Sequence, residues 1–233
     1  MLATFPTERE AASFAAAVRR VPAPWQVDTV LAYLSVAVFY DYHTVHYDSV
    51  IAKLQSLGGE IQEQPGQFWE IPCCYDFGPD LAAVAEAKGL SPAGVIRLHS
   101  NNTYKIYAIG FVPGFPYMGY LADELQGLPR LASPRVRVEA GSVGITGKQT
   151  AIYPLATPGG WQLIGRTPLE LVHVADGYFP LRAGDSVRFV PITQEEFHRR
   201  QGERLPRPLS ASLGHAAGNA RPQRPLEDSS FPN

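Results

Sequence analysis

RVRVEAGSVGITGKQTAIYPLATPGGWQLIGR, residues 135–166, decides the reading of this chain. Short runs rich in valine, isoleucine, threonine and aromatic residues alternate there with glycine and proline turns. The same texture starts at Tyr104 with YKIYAIGFV and continues through LELVHV and DSVRFV. Short strands at regular spacing with such punctuation predict a closed barrel or a sandwich. The second half is therefore read as all-β, with small helical insertions.

The first half has a different grammar. Thr7 followed by Glu10 reads as a capping box, and Phe14, Ala15, Val18 and Val21 form one helical face that Pro22 and Pro24 end. Residues 25–40, WQVDTVLAYLSVAVFY, are too long for one strand and predict a hairpin turning near Ala32 to Leu34. A helix over about 44–57 follows, ended by Gly58-Gly59, and then a polar loop over 60–67. FWEIPCC resumes as a strand, and two short helices follow, the second capped by Ser91. The order helix, hairpin, helix predicts a small α+β unit. The boundaries read as 1–75 for that unit, 76–194 for the β domain, and 195–233 for a short helix, TQEEFHRR, with a disordered tail. Residues 201–233 hold five prolines and one aromatic residue, too little apolar material to order a segment.

Composition narrows the function classes. The 233 residues are 45% hydrophobic and 18% charged, enough to bury a core, and the formal net charge of −2 gives no footprint for nucleic acid or an anionic membrane. No apolar run approaches the roughly 20 residues of a membrane-spanning helix, and MLATFPTEREAASF lacks the parts of a signal peptide, so a cytoplasmic location is expected. Cys73 and Cys74 are adjacent, which strains a mutual disulfide; buried thiols are expected, and no metal site is evident.

Three motifs fail on inspection. GSVGITGKQT, 141–150, resembles a phosphate loop, but its glycine spacing is one residue too long, Gln149 replaces the magnesium-binding hydroxyl, and a strand follows instead of a helix. Residues 80–100 look like a helix-turn-helix, yet the second helix carries only Arg97 as a firm positive charge. His43 and His46 have metal-ligand spacing without an acidic or thiol partner.

GFVPGFPYMGYL, 110–121, places four aromatic rings on an uncharged backbone stiffened by two prolines and turned by three glycines. Such a loop presents shaped aromatic surface to a ligand or partner, or plugs a barrel corner. ATPGGWQLIGRTPL, 156–169, has the same grammar with Trp161, Gln162 and Arg166.

The stretch HSxxxYxxYxxGFxPGFPYxG, His99 to Gly119, followed by PRLASPRVRVEAGSVGITGKQTAIYPLATPGGWQLIGRTPL, resembles the 5-oxoprolinase B-subunit family. That family includes the sporulation kinase inhibitor KipI and is related to the carboxyltransferase part of urea carboxylase. The resemblance spans about 25–190. It implies an α+β chain: a small N-terminal α+β domain followed by a cyclophilin-like β-barrel. It also implies work in a complex with the 5-oxoprolinase C subunit, which has a related barrel, and with the A subunit. That complex would open 5-oxo-L-proline to L-glutamate, with ATP bound by this chain or by the complex. A KipI-like inhibitor of a sensor histidine kinase is the alternative.

On this resemblance a substrate or nucleotide pocket is expected between the two aromatic segments. Phe111, Pro113, Gly114, Phe115 and Pro116 would form one side, and Pro158, Gly159, Gly160 and Trp161 the other. Gln149, Thr150 and Gln162 would supply hydrogen bonds, Tyr153 an apolar wall, and Arg135 and Arg166 a grip on carboxylate or phosphate. His99 would transfer protons. Two departures stand out. Similar proteins begin with a strand before the first helix, which this chain lacks on sequence, leaving an open sheet edge. CCYDFGPD also stands where the family carries a segment that reads GGEFGPD.

Overall fold

The computed structural model describes residues 1–57 and 66–205. The chain begins with a strand after all: β1 (Leu2–Thr4) pairs antiparallel with β3 (Ser35–Tyr40), which pairs on its other side with β2 (Gln26–Ala32). Three residues before a proline are too few to show alternation, so pairing is what makes them a strand. Two helices cover one face of this sheet. α1 (Glu8–Arg20) opens with the predicted capping box, Thr7 accepting from the Glu10 amide and Glu10 from the Thr7 amide, a device that stabilises by about 1 kcal/mol. α2 (Tyr47–Gln55) starts three residues later than its periodicity suggests. Ala11, Ala15, Val18, Val36, Val38, Val50 and Leu54 form the core between helices and sheet. The predicted helix stop at Gly58-Gly59 and nearly all of the polar loop lie outside the described residues.

The barrel is a seven-stranded sheet that closes on itself. Its strands are β4 (Phe68–Cys73), β5 (Thr103–Ile109), β6 (Pro116–Gly119), β8 (Ser142–Thr146), β9 (Gln149–Ile152), β11 (Gln162–Arg166) and β12 (Ser186–Pro191). They lie in the order β11-β8-β9-β6-β5-β12-β4. Beyond β4, Cys74 and Arg166 exchange both backbone hydrogen bonds, at 2.8 and 2.9 Å, and so join the two edge strands. Inward side chains pack a single core that includes Ile71, Tyr104, Ile106, Met118, Ile145, Ile152, Ile164 and Phe189. A two-stranded ribbon, β7 (Arg135–Val138) with β10 (Thr157–Gly159), lies outside the sheet.

The 68–73 strand corrects the boundary at 75. β4 runs parallel to β12, with Phe68 opposite Ser186 and Cys73 opposite Pro191, so it belongs to the barrel. A pairing across more than a hundred residues leaves no local trace in sequence. Asp185 secures the junction: its buried carboxylate accepts from the Gln67 amide (2.8 Å), Trp69 Nε1 (3.0 Å) and the Arg182 amide (2.9 Å). Cys73 and Cys74 are buried free thiols, as expected.

The segment 80–100 folds as two packed structural helices, α3 (Leu81–Ala87) and α4 (Pro92–Ser100), the latter capped by Ser91. The false phosphate loop is the β8–β9 hairpin. α5 (Gln194–Arg199) is capped by Thr193. Residues 201–205, read from sequence as the start of a disordered tail, are part of the fold: Leu205 is buried and Arg204 pairs with Glu170 and Asp176. The rest of the tail lies outside the described residues.

Candidate functional site

The aromatic segments come together, but mainly as a plug. Phe115 stands edge-on to Tyr153 at 5.1 Å and to Trp161 at 5.8 Å between ring centres. All three are buried, packing with Val138, Ala151 and Leu163 on the outer face of the barrel. They are a second apolar layer, not the walls of an open pocket. Pro116 opens β6 and is buried, while Pro113 stays exposed and Phe111 is 61% exposed. Gly114 has φ +76°, and a Cβ there would lie 2.2 Å from Val172 Cγ2, so only glycine lets the loop seat this closely. Pro158 and Gly159 belong to β10, and a Cβ on Gly159 would strike the Tyr153 ring. Gly160 accepts from the Leu131 amide, which holds the turn before Trp161.

His99 is not placed for proton transfer. It is fully buried at the end of α4, with Nδ1 2.7 Å from the Tyr75 hydroxyl and Nε2 2.9 Å from Thr150 Oγ1. Thr150 also donates to the Gly144 carbonyl at 3.2 Å. With no charged neighbour to compensate its burial, the imidazole is held neutral, its pKa pulled down to about 3. The motif residue is a core bracket between α4 and β9.

The two arginines separate. Arg135 reaches Asp80 Oδ1 at 2.6 Å, and Asp80 Oδ2 accepts from the Leu163 amide at 2.6 Å. The Arg135 guanidinium also touches the Trp161 carbonyl at 3.4 Å. It therefore braces the WQL segment and is spoken for. Sequence reading missed Asp80: at the head of a helix it looks like a cap, yet its side chain makes no capping bond.

Arg166 is the available one. Its Nε donates to the Ala140 carbonyl at 2.9 Å, and its guanidinium carbon stands 5.9 Å from the Phe197 ring centre. Both residues line a surface cavity of about 290 Å³, together with Pro154, Leu155, Pro168, Leu169 and Val172. This cavity lies beside YPL and RTPLE, not between GFVPGF and TPGGWQ.

Gln149 and Gln162 are also engaged. Gln162 donates to the Pro129 carbonyl at 3.1 Å. Gln149 donates to the hydroxyl of Tyr33, at the tip of the β2–β3 hairpin. Tyr33 has φ +53° and stacks on Tyr107 at 5.0 Å; Tyr107 contacts Tyr120, whose hydroxyl donates to Glu8 at 2.7 Å. A line of tyrosines thus joins the N-terminal unit to the barrel. No local signal marks Tyr33, because a two-residue hairpin turn favours glycine or asparagine where it sits. Among the described residues, no three His, Cys, Asp or Glu side chains gather as a metal site. No helix among them is long and apolar enough to cross a membrane.

Comparison with known proteins places this geometry. The family described as the carboxyltransferase domain, subdomain C and D, matches residues 3–177. The B subunit of 5-oxoprolinase from Bacillus subtilis (strain 168) is 41% identical over 205 residues, 81% of this chain and 85% of that protein. The crystal structure of TTHA0988 superposes with a TM-score of 0.75 at 34% identity, over 89% of this chain but only 41% of that longer one. Kluyveromyces lactis urea carboxylase shares the fold, with a TM-score of 0.63 at 20% identity, over 82% of this chain and 20% of that one. The sheet order and these likenesses make the β domain a cyclophilin-like barrel, and the chain belongs to the 5-oxoprolinase B-subunit family.

Proposed function

We propose that this chain is the B subunit of an ATP-dependent 5-oxoprolinase, working in the cytoplasm with the A and C subunits to hydrolyse 5-oxo-L-proline to L-glutamate. One observation carries the reading: the match to the 5-oxoprolinase B subunit of Bacillus subtilis runs along four-fifths of this chain and 85% of that protein. The substrate is a lactam whose carbonyl is deactivated by conjugation with nitrogen. Transfer of a phosphoryl group from ATP to that oxygen would break the conjugation and release ADP. Water would then add to the carbon, the ring C–N bond would break as the nitrogen takes a proton, and a second water would release phosphate from the resulting acyl phosphate to leave glutamate.

The chain's own geometry favours a supporting share in that chemistry. Its motif histidine is buried and neutral, and Arg135 is committed to Asp80. The β8–β9 hairpin has no helix N-terminus to cradle phosphates, so we assign ATP to the complex and not to this segment. What faces outward is Phe111, Pro113, the tyrosine line and the Arg166 cavity, which suit substrate positioning and docking against the C subunit. Release of glutamate from 5-oxoproline by the A and C subunits, with and without this chain, tests the proposal; turnover that needs the chain is the expected result, and turnover indifferent to it refutes the reading.

A further inference from the structure

The cavity beside Arg166 has a composition that the barrel itself does not require. We infer that it binds a small monocarboxylate with a compact, largely apolar body, the carboxylate held by Arg166. This deepens the part of the proposed function that gives the cavity to substrate positioning, and it rests on that reading only in the choice of 5-oxoproline as a probe.

Four observations converge. The void, about 290 Å³, is large enough for a molecule of roughly ten heavy atoms and is open to solvent on one side. Much of its wall is apolar, formed by Pro154, Leu155, Pro168, Leu169 and Phe197, while Thr167, Glu170 and Gln201 also line it. Arg166 spends only Nε, on Ala140; its two terminal nitrogens have no hydrogen-bond partner among the described residues. A fork of two N–H donors matches the two oxygens of a carboxylate.

The nearby acids are each occupied by other arginines. Glu170, on the cavity wall, is bound to Arg204, which also holds Asp176. Glu139 is bound to Arg137 at 2.7 Å. Glu139 also feels the Arg166 charge but makes no bond to it, so the Arg166 guanidinium is left as the positive group that lines the cavity. The Phe197 ring lies within cation–π range of the guanidinium, at 5.9 Å from its carbon. A dianion or a phosphate ester would bring a second charge against Glu170 and an apolar wall, which is why one carboxylate and a hydrophobic body fit best.

The test uses the full chain and three probes, followed by NMR line shifts and calorimetry: cyclopentanecarboxylate, 5-oxoproline and the neutral lactam 2-pyrrolidinone. Cyclopentanecarboxylate should bind and 2-pyrrolidinone should not. Arg166→Gln should weaken carboxylate binding by about tenfold or more, the loss expected for a charge-assisted pair, and Arg166→Lys by less. Leu155→Trp, which narrows the void while keeping the arginine, should block binding as well, and it serves if Arg166→Gln fails to fold. Equal binding of cyclopentanecarboxylate and 2-pyrrolidinone overturns the inference. So does an absence of carboxylate binding at millimolar concentration, or binding that survives Arg166→Gln or Leu155→Trp. Binding of cyclopentanecarboxylate without 5-oxoproline would support the cavity while excluding it as the lactam's site, which separates this result from the glutamate assay.

Discussion

His99 shows how far a residue's environment can reverse its apparent role. A histidine inside a long motif, next to an aromatic loop, reads as a proton carrier; with both nitrogens bonded and no exposed surface it is a structural group. Its folded pKa near 3 lies below its ordinary value of 6.5, so the unfolded chain binds a proton in that interval and the folded one does not. Its contribution to stability is complete above about pH 6.5 and is lost as pH falls towards 3, with a slope approaching about 1.4 kcal/mol per pH unit. Chemical denaturation from pH 7 to 4.5 should show this decline in the wild type. His99→Gln should be less stable at pH 7 and show a flatter decline; an unchanged slope would mean that His99 is not the titrating group.

Among the elements, the ribbon and its braces decide how the aromatic plug is held. Asp80 joins the head of α3 to β11 through Leu163 and to β7 through Arg135. Asp80→Ala should cost about 2–4 kcal/mol, because it leaves a half-buried guanidinium and a backbone amide without their acceptor. Trp161 should respond with it: a red-shifted emission and a weaker near-ultraviolet signal are expected, whereas an unaltered spectrum would show that Arg135 does not position the WQL segment. Most elements on which this rests were legible in the sequence. The capping box, the hairpin turning near Ala32 to Leu34, read from a run too long for one strand, and the strands of the second half between glycine and proline turns follow from local pattern. β1 and the membership of β4 were not, since both are defined by partners distant in sequence. The site was less legible for the same reason. Motif residues could be named, but whether Arg135 or Arg166 has a free guanidinium depends on Asp80, 55 residues before the first of them.

For the whole molecule, the joint between the N-terminal unit and the barrel is narrow, and Tyr33 is central to it. Its left-handed backbone is a conformation that costs a non-glycine residue on the order of 1 kcal/mol, tolerated here for a ring that stacks on Tyr107 and a hydroxyl that takes the Gln149 amide. Tyr33→Ala keeps the strained turn and removes both contacts, so about 1–2 kcal/mol of coupling should disappear. Scanning calorimetry should then show the N-terminal unit melting ahead of the barrel, while Tyr33→Phe, which keeps the stack, should stay close to the wild type. Superimposable traces for Tyr33→Ala and wild type would contradict this view of the joint.

Under the function proposed above, this chain is an obligatory part of a complex and not an enzyme by itself. The decisive measurement is the rate of ATP-dependent glutamate release from 5-oxoproline at fixed amounts of the A and C subunits, as this chain is titrated in. We expect no rate at zero addition, a rise with added chain, and a plateau once the complex is complete. A full rate before any chain is added, unchanged by later additions, would contradict the proposal.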